Sequence, residues 1–167
     1  MEAKRVDESS IIMSHVMLPQ DTNPAGNVHG GVVMKHIDNA AASVAIRHTR
    51  NDAVTASIDR LDFHKPVFLG NILTLRASIN LVGRTSMEVG VRAESEDPYS
   101  GEVRHTASAY LTIVTLDENG RPKEIPPLIL ETEDEIRRNN AARARRKARL
   151  AEKKKEEEKR RIFDGFK

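Results

Sequence analysis

The sequence predicts an α+β fold: an antiparallel five-stranded sheet wrapped around one long central helix, followed by a charged C-terminal helix. A polar loop passes through Gly30 and Gly31 into a helical stretch that runs to His48 and is apolar on most of its faces. One β-branched stretch precedes this helix, and four stretches of alternating apolar and polar residues follow it. The loops after the helix are too short for crossover helices, so the strands form an antiparallel meander.

The strand predictions rest on alternating apolar residues and on the turn residues that interrupt them. Pro19 ends the first stretch because proline cannot continue a hydrogen-bonded ladder. Pro66 and Gly70 end the second, and a short turn at Gly83 separates the third from the fourth. The strands are predicted over residues 9–18, 53–63, 72–82, 86–96 and 103–116.

The helix is predicted to begin near His29 or Gly30. Its apolar residues recur at the spacing of one helix face, at Val33, Ile37, Ala41 and Val44. Met34 and Ile46 widen this stripe, so we expect the helix to pack on nearly all sides.

Composition narrows the function classes. The chain has 167 residues and no cysteine, which excludes disulfides, thiolate metal sites and a cysteine nucleophile. No apolar run approaches the roughly 18 residues of a membrane span. We therefore expect a soluble, cytoplasmic protein.

The C-terminal part is distinct in charge. We predict one domain over residues 1–127 and a charged helical tail over residues 128–167. From residue 131 onward there are 14 Lys and Arg against 9 Asp and Glu, so the basic character of the chain lies there. Thr132 and Glu135 fit a helix capping box.

The tail is expected to be a solvated helix held by charge pairs. Two pairs at i, i+4 spacing are Glu133/Arg137 and Asp134/Arg138. Acidic residues are interleaved with the basic ones and no aromatic lies among them, which disfavours nucleic-acid binding. Apolar residues that could dock elsewhere stand at Ile162, Phe163 and Phe166.

Asp38 is the residue most at odds with its surroundings. Aspartate is a poor helix former, and this one lies between Ile37 and Ala40 on a helix with little polar surface. It is either an ordinary surface carboxylate or a functional one, because a buried unpaired carboxylate is costly. Gly30 and Gly31 likewise form either a tight entry turn or an anion site made of free N–H groups at the helix N-terminus.

Several separated motifs resemble hotdog-fold acyl-CoA thioesterases of the cytosolic acyl-CoA hydrolase group. The resemblance covers about residues 10–127 and excludes the tail. At position 29 relatives often carry an apolar residue, so His29 is given no catalytic role. The matching segments are Asn23…Gly26…His29-Gly30-Gly31…Met34…Ile37-Asp38…Ala41, residues 55–63, Pro66-Val67…Gly70-Asn71 and residues 83–89.

The resemblance implies roles for the residues of the loop and helix. Asp38 would be the general base that activates water, or the nucleophile itself. Asn23 would orient the water or the thioester, and a backbone N–H of Gly30 or Gly31 would polarise the thioester carbonyl. Coenzyme A would enter as part of the substrate and leave as product, so no cofactor and no metal are expected.

The phosphates of coenzyme A require cations or N–H donors. Our candidates are Arg84, Thr85 and Ser86 at a turn between strands. Arg60 and Lys65 are further candidate cations, although each also fits an ordinary exposed charge.

Spacing adds a constraint on assembly. Gly30 and Asp38 are eight residues apart, or about 12 Å along a helix, which is too far for both to contact one carbonyl and its attacking water. The family implies a two-fold homodimer in which Asp38 of one subunit faces Asn23 and the glycines of the other. Relatives often assemble further into hexamers.

Other functions remain alternatives. A non-catalytic acyl-CoA sensor would use the same fold to bind the ligand and regulate another process. A hotdog dehydratase would need a histidine soon after the aspartate, and the next one is His48. A metal site formed by His29, His36 and Asp38 lacks a ligand motif, and the chain has no G-x-S-x-G, P-loop or dinucleotide motif.

Overall fold

The computed structural model describes residues 1–164, with side chains described for residues 1–160. Its main elements follow the predicted order, strand, helix and four strands. Among the described residues, no helix combines the length and apolar character needed to cross a membrane. The elements are β1 (Lys4–Arg5), β2 (Ile11–Val16), α1 (Gly30–Thr49), β3 (Ala53–Phe63), β4 (Ile72–Val82), β5 (Ser86–Glu96), β6 (Val103–Thr115), β7 (Leu128–Ile129) and α2 (Glu133–Asp164).

Five strands form one antiparallel sheet in the order β2-β4-β5-β6-β3. This confirms the predicted α+β architecture. The predicted meander is right for β4, β5 and β6 and wrong for β3, which pairs with β6 instead of with β4, the next strand in sequence. The long strands β4, β5 and β6 occupy the centre, and β2 and β3 form the two edges. The short strands β1 and β7 pair in parallel as a separate two-stranded sheet. That pair was not predicted, because two-residue strands carry no periodic signal.

The core lies between α1 and one face of the sheet. Strict alternation places every second residue of β4 and β5 on this face, and β6 contributes small residues that let the helix approach closely. Burial of these apolar side chains is the main force that holds α1 in place. The buried residues include Val33, Ile37, Val44, Leu73, Leu75, Ile79, Met87, Val89, Ala109, Leu111 and Ile113.

The prediction that α1 packs on nearly all sides is wrong for the single chain. The sheet covers one face of the helix and leaves the opposite face open. Met34 is 39% exposed and Ile46 is 46% exposed, although both were expected to widen the buried stripe. The apolar width of the helix exceeds what its own sheet can cover, which is typical of a surface that meets another subunit.

The prediction of a solvated tail is wrong for the first half of α2. This half lies across the face of the sheet that points away from α1, where Asn139 and Ala142 are buried. Arg145 donates two hydrogen bonds to the buried carboxylate of Glu88, at 2.6 and 3.1 Å. Residues 151–160 are exposed as predicted.

The start of α2 follows the predicted chemistry. The capping box is confirmed, since Glu135 N–H donates to Thr132 Oγ1 and Thr132 N–H donates to the Glu135 carboxylate. Asp134 pairs with Arg138 as expected, whereas Arg137 pairs with Asp134 instead of its predicted partner. The side chains of Ile162, Phe163 and Phe166 lie outside those described, and the domain boundary at residue 127 stays a prediction.

Candidate active site

Asp38 lies half-buried in the middle of α1, beside the edge strand β3. Thr55 of β3 donates a hydrogen bond from its Oγ1 to Asp38 Oδ1 at 2.6 Å. Among the described side chains, the carboxylate is therefore held by one oxygen, and Oδ2 has no hydrogen-bond partner. Thr55 was not selected from the sequence as a site residue, because threonine is an ordinary strand residue.

The loop before α1 holds Asn23 by its own side chain. Asn23 Oδ1 accepts hydrogen bonds from the N–H groups of Ala25, at 3.0 Å, and Asn27, at 3.2 Å. Gly26 completes the turn with a φ of 83°, a conformation that glycine adopts without strain. Because the amide oxygen is used by the loop, the amide NH2 group is the part of Asn23 left for a ligand.

The N-terminus of α1 offers free donors. His29 precedes the helix and does not cap it with its side chain. In the described part of the chain, the N–H groups of Gly30 and Gly31 have no hydrogen-bond partner, whereas those of Val32 and Val33 reach the His29 carbonyl. Two unpaired N–H groups at the positive end of a helix dipole form an anion site.

Gly30 and Asn23 line one open cleft of about 370 Å³. Phe63 at the end of β3 and Lys65 line the same cleft. A Cβ atom added at Gly30 would lie 3.5 Å from the Phe63 ring, so the helix N-terminus sits against this end of the strand. Asp38 does not line the cleft. A single chain thus brings Asn23, Gly30 and Lys65 together and leaves Asp38 apart.

His64 also lines this cleft and was not predicted as a site residue. Its ring lies 4.7 Å from the ring of His105, measured between centroids. Burial lowers the pKa of His105, and the nearby charges of Arg92 and His64 lower it further. His105 is therefore biased toward its neutral form beside His64.

The candidate phosphate ligands fall into two groups. Arg84, Thr85 and Ser86 form the turn between β4 and β5, which is closed by a 2.7 Å hydrogen bond from Gly83 N–H to the Ser86 carbonyl. Arg60 lies on β3 with its Nε 2.5 Å from an Asp62 carboxylate oxygen, so its charge is already paired.

Comparison with known proteins gives these features a context. The sequence profile of the thioesterase superfamily matches residues 25–102. An uncharacterized acyl-CoA thioester hydrolase of Bacillus subtilis is 38% identical over 139 residues, which cover 83% of this chain and 81% of the relative. The cytosolic acyl coenzyme A thioester hydrolase of Mus musculus is 35% identical over 82% of this chain, and that match covers 36% of the mouse protein.

Solved structures agree in fold. An apo-hexameric acyl-CoA thioesterase superposes with a TM-score of 0.88 at 39% identity, covering 91% of this chain and 97% of that one. An acyl-CoA hydrolase of Staphylococcus aureus, in complex with butyryl coenzyme A and coenzyme A, superposes with a TM-score of 0.84 at 37% identity, covering 93% and 97%.

Three solved variants of the Staphylococcus enzyme replace one asparagine, one aspartate and one threonine by alanine. In that enzyme the aspartate follows the asparagine by 15 positions, and the threonine follows the aspartate by 17. Asn23, Asp38 and Thr55 have the same order and the same spacing. With the sheet and helix arranged as in these structures, the chain has the hotdog fold and belongs to the acyl-CoA thioester hydrolases of the thioesterase superfamily.

Proposed function

We propose that this acyl-CoA thioesterase hydrolyses fatty acyl-CoA to a free fatty acid and coenzyme A at sites shared between two subunits. The observation that carries the proposal is the division of the site along β3. Asp38 and Thr55 lie at the start of this strand, whereas Gly30 and Asn23 lie at its end beside Phe63. A second copy is needed to bring the two halves together.

The exposed edge of β3 is the surface through which two subunits would pair. It is 11 residues long and exposes the apolar side chains of Val54, Ile58 and Phe63. Among the residues that the structure describes, no strand pairs with its outer side. Two such edges pair antiparallel about a two-fold axis. In a pairing centred on Ile58, the start of one β3 lies opposite the end of the other. Asp38 then faces the partner subunit's Gly30 and Asn23.

The chemistry follows from these groups. Thr55 holds Asp38 Oδ1, so Oδ2 accepts a proton from water as the water oxygen attacks the thioester carbonyl. The N–H groups of the partner's Gly30 and Gly31 stabilise the oxyanion, an effect of about 3 kcal/mol for one donor. The carbon–sulfur bond then breaks, and the proton passes to the thiolate of coenzyme A.

The match of residue type and spacing at three positions with the Staphylococcus variants supports these assignments. The apo-hexameric relative supports a further assembly of three dimers. The name of the mouse relative supports a cytoplasmic location, which we propose as well.

A thiol-release assay with acyl-CoA of several chain lengths tests the proposal. We expect wild-type protein to release coenzyme A, and Asp38→Asn to be at least about a hundredfold slower in kcat, because the base is lost while the fold is kept. Asp52→Asn removes an exposed carboxylate just after α1 and serves as the matched control with full activity.

Near-normal turnover by Asp38→Asn would contradict the proposed base. Binding of acyl-CoA without release of thiol by the wild-type protein would instead identify a non-catalytic acyl-CoA sensor.

A further inference from the structure

The second helix, α2, has a fixed position on the outer face of the sheet. Arg145 bonds the buried carboxylate of Glu88, and Asn139 donates to the Asn80 carbonyl at 2.7 Å. Arg149 bonds Asp59 of β3 and Thr112 of β6. These contacts reach β3, β4, β5 and β6, so the side chains of this part of α2 are presented at defined places.

Arg146 is presented to the turn between β4 and β5. A Cβ atom added at Gly83 would lie 2.7 Å from Arg146 Nη1, 3.0 Å from Nη2 and 3.1 Å from Cζ. The guanidinium therefore packs against the turn backbone in space that only glycine leaves open. Gly83, Ser86 and Arg146 line the same narrow cleft.

Among the described side chains, Arg146 has no carboxylate bonded to it, and Glu88, which lines the same cleft, is bonded to Arg145. Its neighbours Arg145 and Arg149 each have a carboxylate partner, Glu88 and Asp59. Within the described side chains, neither Arg146 nor Arg84 forms a salt bridge or a side-chain hydrogen bond.

Two guanidinium groups without a bonded carboxylate among the described side chains therefore flank one short turn. Thr85 and Ser86 add hydroxyl donors to it. Guanidinium and hydroxyl groups are strong phosphate donors.

The turn between β4 and β5 is close to the end of β3 that carries Thr55. Ser86 pairs with Val114 of β6, which in turn pairs with Val54 of β3. Two steps between strands correspond to about 10 Å. Thr55, which holds Asp38, is the next residue on β3. A phosphate group at the turn is thus within reach of an extended arm that ends at the active site.

We propose that Arg146 of α2 joins Arg84 in binding the phosphates of coenzyme A. The proposal rests on the proposed function and adds α2, which the sequence placed outside the catalytic domain, to substrate recognition. The thiol and acyl group occupy the site at α1, while the phosphates contact both the turn and the helix.

The test compares thioesters with and without the nucleotide. For Arg146→Gln we expect KM for acyl-CoA to rise about tenfold, the low end for one charged hydrogen bond, with kcat unchanged. KM for the matching acyl-pantetheine, which lacks the phosphates, should not change. Lys147→Gln is the matched control, since it removes one exposed charge from the next position of the helix and should behave as wild type.

A second variant tests the same contact from the other side. Gly83→Ala places a Cβ where the Arg146 guanidinium lies and should displace this flexible side chain, giving the same rise in KM for acyl-CoA. Equal KM changes for both thioesters, or none for either, would overturn the proposal, because a purely structural role would not distinguish them.

Calorimetric titration with coenzyme A separates this proposal from the proposed function. Weaker binding of coenzyme A by Arg146→Gln than by wild type supports the phosphate site. Equal binding by the two, in a wild type that hydrolyses acyl-CoA, overturns the role of Arg146 and leaves the function intact. A wild type that neither binds coenzyme A nor hydrolyses acyl-CoA overturns both.

Discussion

The two ends of β3 carry opposite chemistry. At the start of the strand, Thr55 orients the carboxylate of Asp38, which can accept a proton. At its end, near Phe63, the free groups of Asn23 and Gly30 are hydrogen-bond donors. One end therefore suits the attacking water and the other suits the carbonyl that is attacked.

The separation of these ends explains why neither is a complete site. Gly30 and Asp38 are eight residues apart on α1, or about 12 Å along the helix. In the proposed dimer, a two-fold axis near the middle of β3 brings the two groups together across the subunit boundary. The exposed apolar residues of α1 and of the β3 edge would be covered by the same partner subunit.

The largest effect should come from preventing the two edges from meeting. Ile58→Glu places a carboxylate from each copy near the axis, where like charges oppose strand pairing. We expect a smaller species in analytical ultracentrifugation and a loss of at least about a hundredfold in thiol release, since the base and the oxyanion donors no longer share a site. Ile12→Glu on the other edge strand is the control and should keep the two-fold dimer. Full activity of Ile58→Glu would show that one chain suffices.

The next largest effect is the recovery of activity when chains that each lack one of the two site residues are mixed. Mixed Asp38→Asn and Asn23→Ala chains should recover activity, because each mixed dimer has one site with both native residues. Random exchange makes half of the dimers mixed, so activity should approach about one quarter of wild type, well above either variant alone. The measurement is thiol release after co-refolding or co-expression. No recovery, with mixed dimers demonstrated by mass spectrometry, would place both residues in the same chain's site.

The strands were predicted well from the sequence because the alternation of apolar and polar residues follows the alternation of buried and exposed side chains. The three strands from 53–63, 72–82 and 86–96 have the predicted bounds, since apolar and polar side chains largely alternate along them and turn residues end each run. Asp38 was selected because it is a charged residue among apolar residues of a helix. Thr55 does not differ from its neighbours in this way, because β-branched residues are favoured in any strand.

The packing of α2 was missed for a different physical reason. Its contacts use arginine stems and charged pairs instead of an apolar stripe, as in the pair of Arg145 with Glu88. In β5, Glu88 occupies a position that alternation assigns to solvent, and its burial depends on a helix more than 40 residues away in sequence. Sequence periodicity detects apolar faces and does not detect a polar interface of this kind.

A smaller effect is expected from the hydrogen bond that orients the base. Thr55→Val keeps the shape of the side chain and removes the donor to Asp38. A hydrogen bond to a charged group contributes about 1.5–3 kcal/mol, so we expect kcat to fall about tenfold or more with KM nearly unchanged. Thr74→Val, which removes a hydroxyl on the exposed side of β4, is the control. An unchanged kcat would show that Thr55 does not orient the carboxylate.

The smallest effect concerns stability, because both half-sites depend on α1 staying docked. His48 in the last turn is fully buried, with Nε2 2.9 Å from the Pro126 carbonyl. Burial lowers the pKa of His48, so below the unfolded value of about 6.5 the unfolded chain binds more protons than the folded one. Stability should therefore be level above pH 7 and decrease as pH falls from about 6.5.

Thermal unfolding between pH 8 and pH 5 measures this decrease, which for one group is at most about 1.4 kcal/mol per pH unit. His48→Gln removes the titrating group, so the free energy of unfolding should fall less steeply with decreasing pH, by the contribution of this one group. This holds even if the variant has a lower thermal unfolding midpoint at pH 8. Burial also lowers the pKa of His36 and His105, so part of the slope remains. An identical slope in the variant would mean that His48 is not the group whose protonation destabilises the docked α1.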